Sequence, residues 1–260
     1  MADSPFAVSP ARARGLYALK KALPGKQVTA VKGQITGPFT LLTGLRDQDD
    51  RAAWYDPTLR EIVVKGLSLK AAWQVDFLRH QGLPVLVFID EPALAGLGSS
   101  AFITVSAEET AQAIDEVAGA IQGAGGLAGV HVCANTDWNM LLTTSIDILS
   151  FDAYGFFDKL AACREPLFAF LERGGILAWG IVPTSSAEEI ERETAPSLLL
   201  RWEAQADAIA GPSRNRAALL RQTLITPSCG TGSLTPAQAG KVLALTRDLS
   251  RSLRDKYLAP

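Results

Sequence analysis

The sequence predicts an α/β fold of the TIM (β/α)8 barrel type, and two patterns carry the prediction. Short apolar, β-branched runs alternate with longer amphipathic segments, the signature of repeated βα units around a parallel sheet. Polar and acidic residues gather directly after those runs, at Thr36-Gly37-Pro38, Asp90-Glu91-Pro92, Asn135-Thr136-Asp137, Pro183-Thr184 and Cys229-Gly230-Thr231. In a parallel barrel such a rim is the C-terminal face, where βα loops build active sites.

Six strands are expected: QVTAVKG (27–33), VLVFID (85–90), LAGVHVC (127–133), DILSFDA (147–153), ILAWGIV (176–182) and TLITPSC (223–229). Between them lie helical patterns such as PTLREIVVKGLSLKAAWQVDFLRHQG and SAEETAQAIDEVAGAIQGAG, the second opening on a Ser106/Glu109 capping-box pattern. About one helix, residues 11–23, precedes the first strand. No low-complexity linker interrupts the series, so residues 1–260 are expected to form a single barrel domain. A closed barrel needs eight strands. With about six βα units visible, two are not accounted for. Either an upstream segment or another chain supplies those strands, or the six form an open or otherwise closed sheet.

Composition narrows the function. At 260 residues and 48% hydrophobic content the chain can bury a substantial core. A formal net charge of -2, with scattered lysines and arginines, offers no excess of positive charge for phosphates, so no nucleic-acid partner is expected. No apolar run reaches the ~20 residues that cross a bilayer. The opening MADSPFAVSPARARG lacks the apolar centre of a secretion signal. A cytoplasmic protein with no membrane partner is the expectation. Cys133, Cys163 and Cys229 are too few for a disulfide framework and are expected to be reduced thiols.

Residues two apart on a strand point to one side, so His131 and Cys133 present an imidazole and a thiol together while Val130 and Val132 face the helices. Cys229, at the end of the last strand, is expected to bring a second thiolate to the same rim. A His/Cys/Cys set favours zinc over magnesium or calcium. Asp152, at the end of the next strand, is one candidate for the fourth ligand; water or substrate is the other. Cys163, in a helical segment, and His80, near a helix end, are expected to be structural. Trp138 and Tyr154 follow strand ends and suit either cleft lining or core packing.

The segments VKGQITGPFTLL, FIDEPAL, GVHVC, LSFDAYG and TPSCGTGSL occur in an order that resembles the catalytic C-terminal barrel of cobalamin-independent methionine synthase. More broadly the chain is similar to the uroporphyrinogen decarboxylase and methionine synthase superfamily, which includes zinc-dependent methyltransferases acting on coenzyme M. The resemblance runs from Val31 to Leu234, so the two units not accounted for are expected to be the first two, leaving the domain incomplete at its N-terminal side. It implies that His131, Cys133 and Cys229 are zinc ligands and places Asp152 where methionine synthases carry a glutamate ligand. It assigns Asp90 and Glu91 to catalysis and to the amino group of homocysteine, with helix or loop capping as their alternative role. Lys32, Thr36 and Gly37 fall in the pocket wall.

The implied activity is zinc-dependent methylation of homocysteine or a similar small thiol. A folate or a methylated corrinoid protein is the implied methyl donor. A decarboxylase of the porphyrin type, a coenzyme M methyltransferase and a noncatalytic zinc-binding fragment or subunit are the alternatives. No G-x-S-x-G elbow or G-x-x-x-x-G-K-[ST] loop is present to support acyl or phosphoryl transfer.

Overall fold

A computed structural model describes residues 4–99, 102–210 and 215–258. The fold is α/β. Among the described residues, six strands occur in chain order across the sheet, each preceded or followed by helix. The chain divides into two compact units, the first holding residues 1–131 and 144–147, the second residues 132–143 and 148–260.

In the first unit, β1 (Val31–Thr36) pairs parallel with β2 (Val85–Asp90), and β2 pairs parallel with β3 (Leu127–Val132). The connecting helices are α1 (Arg14–Ala22), α2 (Pro38–Gly44), α3 (Pro57–Leu78) and α4 (Ala107–Gly123). Their ends are written locally. Asp56 accepts from Thr58 N and Leu59 N with Pro57 opening α3, and the Ser106 side chain accepts from Glu109 N at the start of α4.

In the second unit, β4 (Ile148–Phe151), β5 (Ile176–Val182) and β6 (Thr223–Pro227) pair parallel in that order. Around them lie α5 (Trp138–Thr143), α6 (Phe157–Ala161), α7 (Arg164–Glu172), α8 (Ala187–Arg192), α9 (Ala195–Ala210), α10 (Arg216–Arg221) and α11 (Pro236–Tyr257). Thr235 and Gln238 close a reciprocal capping box on α11. Trp179 on β5 packs against Phe151, Phe157 and Trp202, so the strand's aromatic side chain anchors α6 and α9.

The strands appear where their apolar runs lie, with shifted ends. β1 starts at Val31 rather than at residue 27 and continues to Thr36, because its register carries Gln34, Ile35 and Thr36 onto Phe88, Ile89 and Asp90. Residues 24–30 are exposed and stay outside the ladder. Among the described residues no helix is long and apolar enough to cross a membrane.

Candidate metal centre

On β3, Ala128, Val130 and Val132 are fully buried, while Gly129 and His131 occupy the other face. Cys133 follows the last strand residue, two positions after His131, and so shares its direction. Cys229 lies two residues past the end of β6, where three features hold the backbone. Ser228 N donates to Val182 O at 2.8 Å. The hydroxyls of Ser228 and Thr184 are 2.9 Å apart and buried. The β5/β6 register shifts between Gly180 and Val182, and a Cβ at Gly180 would fall 2.5 Å from Phe151 O and 2.9 Å from Ser228 Cα. Glycine there lets β6 approach closely enough to seat the Ser228-Cys229 turn.

The result is a group of ligand atoms: the His131 imidazole nitrogen and the Cys133 and Cys229 sulfurs lie within 4.8 Å of one another. Cys133 is half-buried and Cys229 exposed. Burial pushes the Cys133 thiol up, and the neighbouring Cys229 pushes it further in the same direction. Two thiols this close resist ionising together unless a cation is present, which reverses the balance. One imidazole and two sulfurs make a borderline-to-soft donor set with room for a further ligand, and that set fits zinc.

Asp152 stands outside the 4.8 Å group but within electrostatic reach of Cys133. Its Oδ1 accepts from Gly155 N at 2.8 Å, while Tyr154 N donates to Gly180 O at 3.1 Å. Burial pushes this carboxyl up. Behind it, Tyr154 donates to Glu193 at 2.8 Å, accepts from Arg192 at 3.1 Å and lies under the Arg201 guanidinium at 4.0 Å. Tyr154 is thus the centre of a polar network, whereas Trp138 is buried and packs edge-on against Phe151. Cys163 immediately precedes α7, outside the three-residue group.

In the first unit, Asp90 ends β2 as the register partner of both Thr36 and His131. Burial pushes the Asp90 carboxyl up, and Lys32 opposes that shift. Lys32 Nζ lies 4.6 Å from the Phe88 ring centre and 3.1 Å from Gln34 Oε1. Glu91 is fully buried. Its Oε1 accepts from Phe39 N at 2.9 Å, and its Oε2 accepts from Thr40 N at 2.8 Å and from the Thr40 hydroxyl at 2.6 Å. Three donors hold it in place, yet burial still pushes its pKa up to about 7. Gly37 makes this possible, because a Cβ there would meet the Glu91 carboxyl carbon at 2.2 Å. Glu91 therefore seats the start of α2, the capping role that its sequence position also allowed.

Sequence did not single out Thr40 and Ser228, and it marked Thr184 only as one of the polar residues that follow a strand. Each is a common hydroxyl residue whose position becomes informative only when its long-range partner is known. Compared with known proteins, the chain matches no family model and no curated sequence.

Proposed function

We propose that the protein is a zinc-dependent methyltransferase of a (β/α)8-type scaffold that methylates homocysteine or a similar small thiol. The observation that carries the proposal is the gathering of His131, Cys133 and Cys229 donor atoms within 4.8 Å from residues 98 positions apart at the extremes (131 to 229). In-order parallel strands with polar residues after their ends support the barrel class. The segment order from Val31 to Leu234, resembling methionine synthase, supports the substrate class.

His131, Cys133 and Cys229 would hold the metal, with Asp152 as a fourth ligand or as a carboxylate that orients the fourth position. Zinc bound there would lower the pKa of an incoming thiol so that it is available as a thiolate near neutral pH. In the transfer, the sulfur–carbon bond forms as the donor's bond to its methyl group breaks. Asp90, whose carboxylate is balanced by Lys32, would accept hydrogen bonds from the substrate ammonium. Glu91 holds Phe39 and Thr40 in place, which fixes the loop carrying Thr36 and Gly37. The methyl donor would be a methylated corrinoid protein or a folate.

Metal analysis of the wild type beside Cys229→Ser, with and without homocysteine, tests the proposal. Near-stoichiometric zinc in the wild type, reduced in the variant, with a zinc-edge spectrum gaining one sulfur neighbour on adding homocysteine, is the expected result. Unchanged zinc content in Cys229→Ser would remove Cys229 from the site and end this reading.

A further inference from the structure

β1 has one neighbour in the strand order, β2. Val31 N donates to Pro84 O at 2.9 Å and Gly37 N to Asp90 O at 2.8 Å. Odd-numbered residues of β1 therefore face β2, and the amides of Lys32, Gln34 and Thr36 point away from it. Among the described residues these three amides have no acceptor. The outward carbonyl of Gln34 is taken by a side chain instead: Gln74 Nε2 on α3 donates to it at 3.1 Å. The other end of that amide, Gln74 Oε1, is buried without a partner, in a side chain 3% exposed. Gln74 thus places a donor where a neighbouring strand's N–H would sit, and leaves its own acceptor unsatisfied to do so.

A groove of about 520 Å³ runs beside this edge. Leu16 and Leu19 of α1 and Leu67 of α3 line it, together with Lys32 and Lys70, and no carboxylate is among its lining residues. The apolar side of α3 extends beyond the groove. Trp73 and Phe77 on that side stack at 4.9 Å, with Phe77 covered by Tyr17 of α1. Leu59, Ile62 and Leu69 continue the stripe at helical spacing but stay 45%, 60% and 49% exposed. Unpaired strand amides, an apolar wall and the positive charges of Lys70 and of Lys32, the latter partly balanced by Asp90, are therefore contiguous.

We propose that the β1 edge binds an extended acidic segment of a partner polypeptide, which adds a strand beside Lys32, Gln34 and Thr36. Backbone amides of the segment take over the Gln34 carbonyl from Gln74, and its carbonyls accept from the outward amides of β1. Alternate side chains divide between the two faces, carboxylates toward Lys32 on one and apolar groups toward Leu16, Leu19 and Leu67 on the other, where Lys70 also lies. The edge belongs to the first unit, and its occupancy does not depend on metal at Cys133 and Cys229.

The test uses the full chain, labelled with nitrogen-15, and an acetylated and amidated heptapeptide alternating glutamate with valine. Expected are shift changes centred on residues 32–36 and the Gln74 side-chain amide, with hydrogen exchange at Lys32, Gln34 and Thr36 slowed about tenfold or more at saturation. A peptide N-methylated at alternate residues, which cannot donate to the edge, binds about tenfold more weakly, and so does the lysine-for-glutamate peptide. Gln74→Ala frees the Gln34 carbonyl and tightens binding, an effect that a purely structural glutamine would not produce. Equal binding of the N-methylated peptide, or no change at residues 32–36, overturns the proposal whether or not Gln74→Ala folds. Free glutamate reproducing the same shifts would make this a small-anion site. A dimer that the peptide dissociates would make the occupant a second copy of this chain. Either result also overturns the proposal.

Discussion

The hydroxyls of Thr184 and Ser228 lie 2.9 Å apart in a buried setting, one residue before Cys229. This bond ties the end of β6 to the segment after β5 and limits where Cys229 can place its sulfur. Ser228→Ala leaves the Thr184 hydroxyl buried without that partner, at a cost of about 1–3 kcal/mol. Thermal melts should show that loss, and chelator competition should show zinc bound several-fold more weakly. The Thr184→Val/Ser228→Ala double variant should lose less stability than the sum of the single variants, since both remove one interaction.

Asp152 contributes differently from the three clustered residues. His131→Ala and Cys133→Ala are expected to reduce zinc far below one per chain by metal analysis. Asp152→Asn is expected to keep near-stoichiometric zinc at a roughly 10-fold lower affinity, as for a carboxylate that supports a site from outside the ligand group. Complete loss of zinc in Asp152→Asn would instead make the carboxylate a ligand.

Glu91 predicts a pH dependence with a definite sign. Its folded pKa of about 7 lies above the ordinary 4.5, so the folded state holds a proton that the unfolded chain has released between those values. Its contribution to stability is fully present below about 4.5 and is lost as pH rises to about 7. Denaturant melts across that window should show the decline, and Glu91→Gln should remove it. The glutamine's amide nitrogen cannot accept the bonds from Phe39 or Thr40, so the variant should also be less stable by about 1–3 kcal/mol.

Gly37→Ala should be among the more damaging small substitutions in the first unit. Its Cβ would meet the Glu91 carboxyl carbon at 2.2 Å and Oε1 at 2.3 Å, so the carboxylate must leave its three donors or α2 must move. A cost of at least 1–3 kcal/mol, measured by denaturant titration, is expected.

Much of the fold was legible in the chain because strands buried on both faces read as continuous apolar runs, and capped helices write short-range patterns. The runs at 85–90 and 176–182 appear with those bounds, and Ser106 marks the start of α4 through a contact three residues away. β1 begins at Val31, after the expected residue 27, because Val28 and Thr29 are β-forming in type yet only pairing with β2 decides where a ladder begins.

The His131, Cys133 and Cys229 set could be named from sequence because strand alternation fixes the direction of the first two and residue chemistry suggests the third. Tertiary structure decided that Cys229 reaches them, by means of the Gly180 approach and the buried Thr184 and Ser228 pair. It also decided that Glu91 accepts from Phe39 N and Thr40 N at the start of α2, while Asp152 stands outside the 4.8 Å group. Identity and local periodicity are properties of a segment, but distance between remote side chains depends on strand register and backbone approach, and no short window of sequence contains those.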